Sequence, residues 1–112
     1  HDLARRQRQM CIRDRIEIEE ARVGDSIRFR IKNPPNDKSA WVGIYALHAQ
    51  DKDHGEEGIG WMWLRDLRSN RASFPERSEG RWSIRVFQDG GYTMVCRLEF
   101  DVLPKKERWW ED

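Results

Sequence analysis

Two stretches of the sequence decide the fold: Trp41-Val42-Gly43-Ile44-Tyr45 and residues 80–87, Gly-Arg-Trp-Ser-Ile-Arg-Val-Phe. Both are built on aromatic and β-branched residues, a composition that favours strands over helices. The second stretch continues through Asp89-Gly90, a pair typical of tight turns between antiparallel strands, into residues 91–102. Apolar and polar residues alternate along this last stretch. The alternation sets the strand register, because a one-residue slip would move every apolar side chain into water.

The chain from residue 16 onward shows the same alternation of apolar and polar residues, with a period of two. Ile27, Phe29 and Ile31, for example, alternate with charged residues, as in a half-buried strand. Strands are expected at about residues 16–18, 27–31, 41–46, 61–64, 72–74, 81–86 and 92–102. No helical period persists over any ten-residue window after Arg15. We therefore predict an all-β fold, an antiparallel β-sandwich of about seven strands.

The two ends of the chain fall outside this pattern. Residues 1–15 have no strand period and closely resemble a translated sequencing-adapter peptide, so we expect a non-native or disordered arm that adds nothing to the fold. A genuine basic arm for nucleic acid and an amphipathic helix are the alternatives. The sandwich domain is expected to span residues 16–103, and residues 104–112 are expected to form a charged tail or linker that carries Trp109 and Trp110.

Charge is unevenly distributed along the chain. Residues 1–15 hold five Arg and two Asp, a net charge of +3, whereas all 112 residues together carry only +1. The remainder is therefore mildly acidic, at −2. This removes the main reason to expect a nucleic-acid partner, which requires a concentrated basic surface.

Three features bear on the cellular location. No apolar run approaches the length of a membrane span, and none near residue 1 has the form of a signal peptide. Cys11 lies in the suspect arm, so Cys96 is expected to be a lone buried thiol. Together these features favour a cytoplasmic location.

The order and spacing of several motifs over residues 16–102 resemble those of SKICH-type and related immunoglobulin-like sandwich domains. The matching residues are Pro34, Pro35, Trp41 to Tyr45, Trp61, Trp63, Phe74-Pro75, Gly80 to Phe87, Gly91-Tyr92, Phe100 and Val102. Residues 46–58 depart from the pattern, since they lack the Gly-Trp continuation that follows the Trp-Val-Gly strand in SKICH domains. The resemblance implies an immunoglobulin-like sandwich and a non-catalytic module that recruits proteins or helps to localise its parent chain to membranes.

The sequence shows no constellation of residues for catalysis or cofactor binding. It has no Gly-x-Ser-x-Gly motif, no glycine-rich phosphate loop and no histidine placed by motif to activate Cys96. We therefore expect no enzyme activity and no cofactor. The loop of residues 48–57 contains His48, His54 and four carboxylates. Its spacing matches no metal-binding pattern, so a solvated loop without metal is expected.

Four arginines, Arg28, Arg30, Arg81 and Arg85, form the candidate binding face. Each alternates with the apolar residues of its own strand, so we expect all four to point outward on one sheet. There they would attract an anionic membrane surface or an acidic partner. The alternative is a solvated face that is neutralised across strands by carboxylates, namely Glu17, Glu19, Glu99 and Asp101.

The tryptophans leave a second class of function open. Trp41, Trp63 and Trp82 fit core positions, whereas Trp61, Trp109 and Trp110 are the candidate exposed aromatic residues. The first expectation is a non-catalytic protein-interaction or localisation module of a larger protein, with a protein as partner. The alternative is an accessory domain of a larger enzyme, for example one that binds carbohydrate through exposed rings. The sequence does not indicate the oligomeric state.

Overall fold

The computed structural model describes residues 7–11 and 15–105. Within these residues the chain forms nine β-strands and one short 3₁₀ helix, Leu64–Asp66. The strands are β1 (Arg8–Cys11), β2 (Arg15–Ile18), β3 (Ala21–Arg22), β4 (Ile27–Lys32), β5 (Trp41–Ala46), β6 (Trp61–Trp63), β7 (Arg71–Phe74), β8 (Gly80–Phe87) and β9 (Met94–Leu103). The prediction of an all-β sandwich is confirmed. The described part of the chain contains no helix that is long and apolar enough to cross a membrane.

The strands form two sheets. The larger sheet has the order β1-β9-β8-β5-β6, with β3 added in parallel to β9, and the smaller sheet has the order β2-β4-β7. All other pairings are antiparallel. The seven predicted strands correspond to β2 and β4 to β9, so β1 and β3 are the additional ones.

The inner faces of the two sheets form one apolar core, as the period of two predicts. Along β5, Val42 and Ile44 point into this core, whereas Trp41 and Tyr45 belong to a second apolar cluster on the outer face. Phe29 and Phe74 stack at a centroid separation of 5.4 Å on the inner face of the smaller sheet, within this core. β5 is therefore covered on both sides, which is why its sequence is apolar at nearly every position.

The start of β9 differs from the sequence pattern. Alternation predicts that Tyr92 and Met94 share the buried face, but their exposed fractions are 51% and 41%. Residues 88–93 form a wider loop than a tight turn at Asp89-Gly90 would give, and the register shifts between Val86 and Phe87. A shift of this kind bends a strand and re-aims its side chains. The buried face of β9 therefore begins only at Cys96.

The arm of residues 1–15 also differs from expectation. β1 pairs with β9 from Arg8↔Glu99 to Cys11↔Cys96, and a disulfide joins the two cysteines. The expectation that this arm adds nothing to the fold is therefore wrong for β1, and the expectation of a lone Cys96 thiol is also wrong. The expectation of a cytoplasmic location loses the support of a lone thiol, because disulfides persist mainly in oxidising environments.

Substitution of Cys11 by serine is expected to lower the free energy of unfolding by about 2–4 kcal/mol, the usual effect of losing a cross-link that closes a long loop. The Cys11–Cys96 bridge spans 85 residues. Urea denaturation with and without a thiol reductant measures this change. Met10→Ser is the matched control, because Met10 lies in the same strand and its side chain is 58% exposed. Equal stability of Cys11→Ser and Met10→Ser would show that the Cys11–Cys96 bridge does not stabilise the fold.

Candidate functional site

The four arginines of the predicted binding face lie on two different sheets. Arg28 and Arg30 belong to β4 in the smaller sheet, whereas Arg81 and Arg85 belong to β8 in the larger sheet. The prediction of one shared face is therefore wrong. A period of two shows which side chains of one strand point the same way, but it does not show to which sheet that strand belongs.

Arg85 is buried rather than exposed, at 2% of its accessible surface. Its Nε donates to Ser83 Oγ at 3.0 Å, and its Nη1 donates to the carbonyl oxygen of Ala49 and to Asp51 Oδ1, both at 2.8 Å. Nη2 donates to the carbonyl oxygen of Leu47 at 3.1 Å. The guanidinium group thus has its hydrogen bonds and its counter-charge inside the protein, and it cannot serve as a contact for a partner.

Tyr45 completes the surroundings of Arg85. The guanidinium carbon lies 4.2 Å from the centre of the Tyr45 ring, and the Tyr45 hydroxyl donates to the carbonyl oxygen of Asp51 at 2.6 Å. Burial raises the pKa of Tyr45 and lowers that of Arg85, while the hydrogen bond to Asp51 acts in the opposite direction on Arg85. Together these contacts fasten the start of the loop after β5 onto the outer face of the larger sheet.

Arg81 is half-buried on the same outer face and is neutralised there. Its Nη1 lies 3.1 Å from Asp101 Oδ1, and its Nη2 lies 3.5 Å from Glu99 Oε1. Both carboxylates come from β9, as the cross-strand alternative predicted. Arg81 therefore belongs to a half-buried, charge-balanced part of the sheet surface.

The smaller sheet holds the remaining arginines in a groove of about 600 Å³ on its outer face. Arg28 and Arg30 line this groove together with Arg68 and Arg71, which precede and begin β7. We call this cavity the arginine groove, after these four residues. Glu17 and Glu19 also line it, so the ionisable residues of the lining carry a net charge of +2.

Register and turn geometry bring the four arginines together. β4 and β7 pair so that Arg30 lies opposite Arg71, and Arg28 lies opposite the small Ser73. The Arg71 amide donates to the carbonyl oxygen of Arg68 at 3.0 Å around a turn whose central residues have positive φ, 53° and 59°. Positive φ at both central positions is typical of a type I′ turn, which sets the flanking residues side by side.

The arginines of the groove differ in their partners. Arg30 Nη2 lies 2.6 Å from Glu17 Oε1, and Lys32 Nζ lies 3.3 Å from Glu17 Oε2. Hydrogen bonds from these two cations hold the pKa of Glu17 below its usual value. Within the described residues, no carboxylate lies within 4 Å of Arg28, Arg68 or Arg71. These three guanidinium groups therefore keep their donors available in the groove.

Sequence reasoning identified Arg28 and Arg30 but not Arg68 or Arg71. Both lie between the predicted strands at residues 61–64 and 72–74, in a segment whose polar residues indicate a turn. The signal that was overlooked is Arg68-Ser69-Asn70-Arg71, because asparagine tolerates positive φ and a two-residue turn places its flanking residues opposite each other.

The metal-ligand candidates are dispersed. In residues 7–11 and 15–105, no group of three His, Cys, Asp or Glu side chains is arranged to hold a metal ion. Asp51 binds Arg85 instead, and His54 packs against the rings of Trp41 and Trp61 at centroid distances of 5.3 and 5.7 Å. The loop thus packs onto the larger sheet.

The tryptophans divide into two groups. Trp41 is buried, as expected, but it lies in the outer aromatic cluster, and Trp61 and Trp63 are half-buried against that cluster. Trp82 is half-buried against the main core. Trp109 and Trp110 lie outside the described residues.

Replacement of Arg85 by alanine is expected to lower the free energy of unfolding by about 3–5 kcal/mol, because the buried acceptors would lose their donors and Asp51 its counter-charge. Arg85→Lys should restore only part of this, since an ammonium group cannot reach all the acceptors that the planar guanidinium reaches. Arg81→Ala is the control and should cost under about 1 kcal/mol. Equal losses for Arg85→Ala and Arg81→Ala in urea denaturation would contradict the structural role of Arg85.

No protein-family model, curated protein or solved structure matches this chain. The resemblance to SKICH-type domains consequently stays a prediction from sequence motifs.

Proposed function

We propose that this chain is a non-catalytic protein-interaction module, SKICH-like in fold, that binds an acidic segment of a protein partner in the arginine groove. The observation that carries the proposal is the convergence of Arg28, Arg68 and Arg71, which have no carboxylate within 4 Å among the described residues, beside Arg30. Arginine is suited to this role, because its planar fork of donors matches a carboxylate or phosphate in two hydrogen bonds.

The electrostatics of the groove favour an anionic ligand. Arg30 and Arg71 lie directly opposite each other on β4 and β7, and like charges in such pairs destabilise a sheet. Glu17 offsets the charge of Arg30 but also binds Lys32. An acidic ligand in the groove would relieve the remaining repulsion, so that binding and folding reinforce each other.

The shape and charge pattern favour a peptide segment over a membrane surface. The volume of about 600 Å³ lies within the range of ligand clefts. Glu17 and Glu19 also line the groove, and they would repel a continuous layer of anionic head groups. An extended segment can place its acidic residues beside the arginines and avoid the two glutamates.

The carbohydrate-binding alternative has weaker support. Stacking on a sugar requires a flat, accessible ring face, but Trp61 and Trp63 are half-buried and perpendicular to each other, with an interplanar angle of 88°. The resemblance to SKICH-type domains also argues against sugar binding, since it implies recruitment of proteins or localisation of the parent chain to membranes.

The test is the affinity of a fluorescently labelled oligoglutamate peptide, measured by anisotropy at low and moderate salt. Charge reversal of both Arg68 and Arg71 to glutamate should weaken binding by at least about tenfold, since hydrogen bonds to charged groups are worth about 1.5–3 kcal/mol each. Glu17→Gln should strengthen binding, because it frees Arg30. Affinity should fall as salt rises.

Two controls make the result decisive. The double variant Lys38→Glu and Lys52→Glu carries the same change in charge at two exposed loop positions outside the groove, and it should bind the peptide within about twofold of the unchanged protein, as expected for surface charges screened by salt. Equal weakening by the two double variants would show a non-specific charge effect and overturn the proposal. Phosphatidylserine vesicles form the second arm. Groove-dependent vesicle binding without peptide binding would replace protein interaction by membrane localisation.

A further inference from the structure

A second concave surface lies on the outer face of the larger sheet. It is lined mainly by aromatic side chains, unlike the arginine groove. It is a recess of about 90 Å³ lined by Trp41, His54, Trp61, Trp63, Gly90 and Tyr92. We call it the aromatic recess. β5 and β6 set its base, because Trp63 pairs with Trp41 and Trp61 pairs with Gly43.

The aromatic rings of the recess are steeply inclined to one another and do not lie in one plane. Trp41 meets Trp61 at a centroid distance of 5.9 Å and an angle of 76°, and it meets Tyr92 at 5.9 Å and 80°. Trp61 and Trp63 lie 5.0 Å apart at 88°. Rings set at such angles turn several faces and edges toward one small space, which suits a compact group and does not suit a flat sugar ring.

Two polar groups of the recess are already engaged within the protein. The Trp41 indole N–H donates to the carbonyl oxygen of Gly91 at 3.0 Å, and His54 Nδ1 lies 3.0 Å from the carbonyl oxygen of Gly55. Gly60 allows this loop to fold back closely, since a Cβ at that position would clash with the His54 carbonyl group. The recess therefore offers mainly π-surfaces to a ligand.

The chain segments that supply His54 and Gly90 are acidic in sequence. Residues 51–57 hold two Asp and two Glu against one Lys, with Asp51 paired to Arg85, and Asp89 precedes Gly90. One cation already sits on a ring of this cluster, because the Arg65 guanidinium carbon lies 4.7 Å from the centre of Trp63. Tryptophan and tyrosine faces attract cations through their negative quadrupole, most strongly where water is excluded.

We propose that the aromatic recess binds a methylated ammonium group. Such a group is compact, is cationic and needs no hydrogen-bond acceptor, which matches the volume, the surrounding rings and the acidic segments that carry His54 and Gly90. The source is either a free quaternary amine or a trimethylated lysine of a protein. This site is independent of the arginine groove, which selects the opposite charge.

The first test compares choline with 3,3-dimethyl-1-butanol, which has the same shape without the charge. Binding is followed by intrinsic tryptophan fluorescence and by the indole signals in NMR spectra. Choline should bind at least about tenfold more tightly than the neutral analogue, in keeping with a desolvated cation–π contact. Equal binding of the two, or no binding of choline at tens of millimolar, would overturn the proposal.

Tyr92 provides a matched pair of variants. Its side chain is 51% exposed, so substitutions there leave the core intact. Tyr92→Phe keeps the ring and should bind choline within about twofold of the unchanged protein, whereas Tyr92→Leu removes the ring and should bind about tenfold more weakly. Unchanged binding by Tyr92→Leu, with a native-like spectrum, would contradict the recess as the site.

A last comparison separates the two sources of the cation. A peptide with trimethyllysine and the same peptide with unmodified lysine are titrated beside free choline. Tighter binding of the methylated peptide than of choline assigns the recess to a modified protein, and similar affinities assign it to a free quaternary amine. Equal binding of methylated and unmodified peptides would overturn the proposal, because the methyl groups would then contribute nothing.

Discussion

A single buried guanidinium group organises the outer face of the larger sheet. Arg85 occupies a position where the strand period alone would place a solvated side chain, yet its donors reach the carbonyl oxygens of Leu47 and Ala49 and the carboxylate of Asp51. Arg97 adds a donor to the Leu47 carbonyl at 2.8 Å. A charge without water is tolerable only when it is paired and its hydrogen bonds are complete. The loop that follows β5 supplies these partners and is therefore held on the sheet.

The position of this loop makes the two outer surfaces of the sandwich different. On the larger sheet, the loop covers Tyr45 and Arg85 and carries His54 to the rings of Trp41 and Trp61. On the smaller sheet, β4 presents Arg28 and Arg30 directly at the surface, and the groove there stays open. One face of the molecule thus carries the aromatic cluster, and the other carries the arginine groove.

Most of the fold could be predicted from local sequence, and most of the candidate site could not. The period of two located β2 and β4 to β9, because alternation depends only on which side of a strand meets the core. It could not show that β4 and β8 belong to different sheets, that Arg85 is enclosed by a loop, or that β1 pairs with β9. Each of these depends on contacts between residues far apart in sequence, such as the 85-residue separation of Cys11 and Cys96.

Contacts between residues far apart in sequence also explain why the two candidate surfaces favour ligands of opposite charge, although the chain as a whole is nearly neutral. The net charge of +1 does not show how charge is distributed over the two surfaces. Arg81, Arg85 and Arg97 pair with carboxylates of the larger sheet or its covering loop. Arg28, Arg68 and Arg71 have no such carboxylates within reach among the described residues. The local field of each surface follows from this pairing rather than from composition. An acidic segment and a cationic group would therefore bind to opposite sheets, and neither would compete with the other.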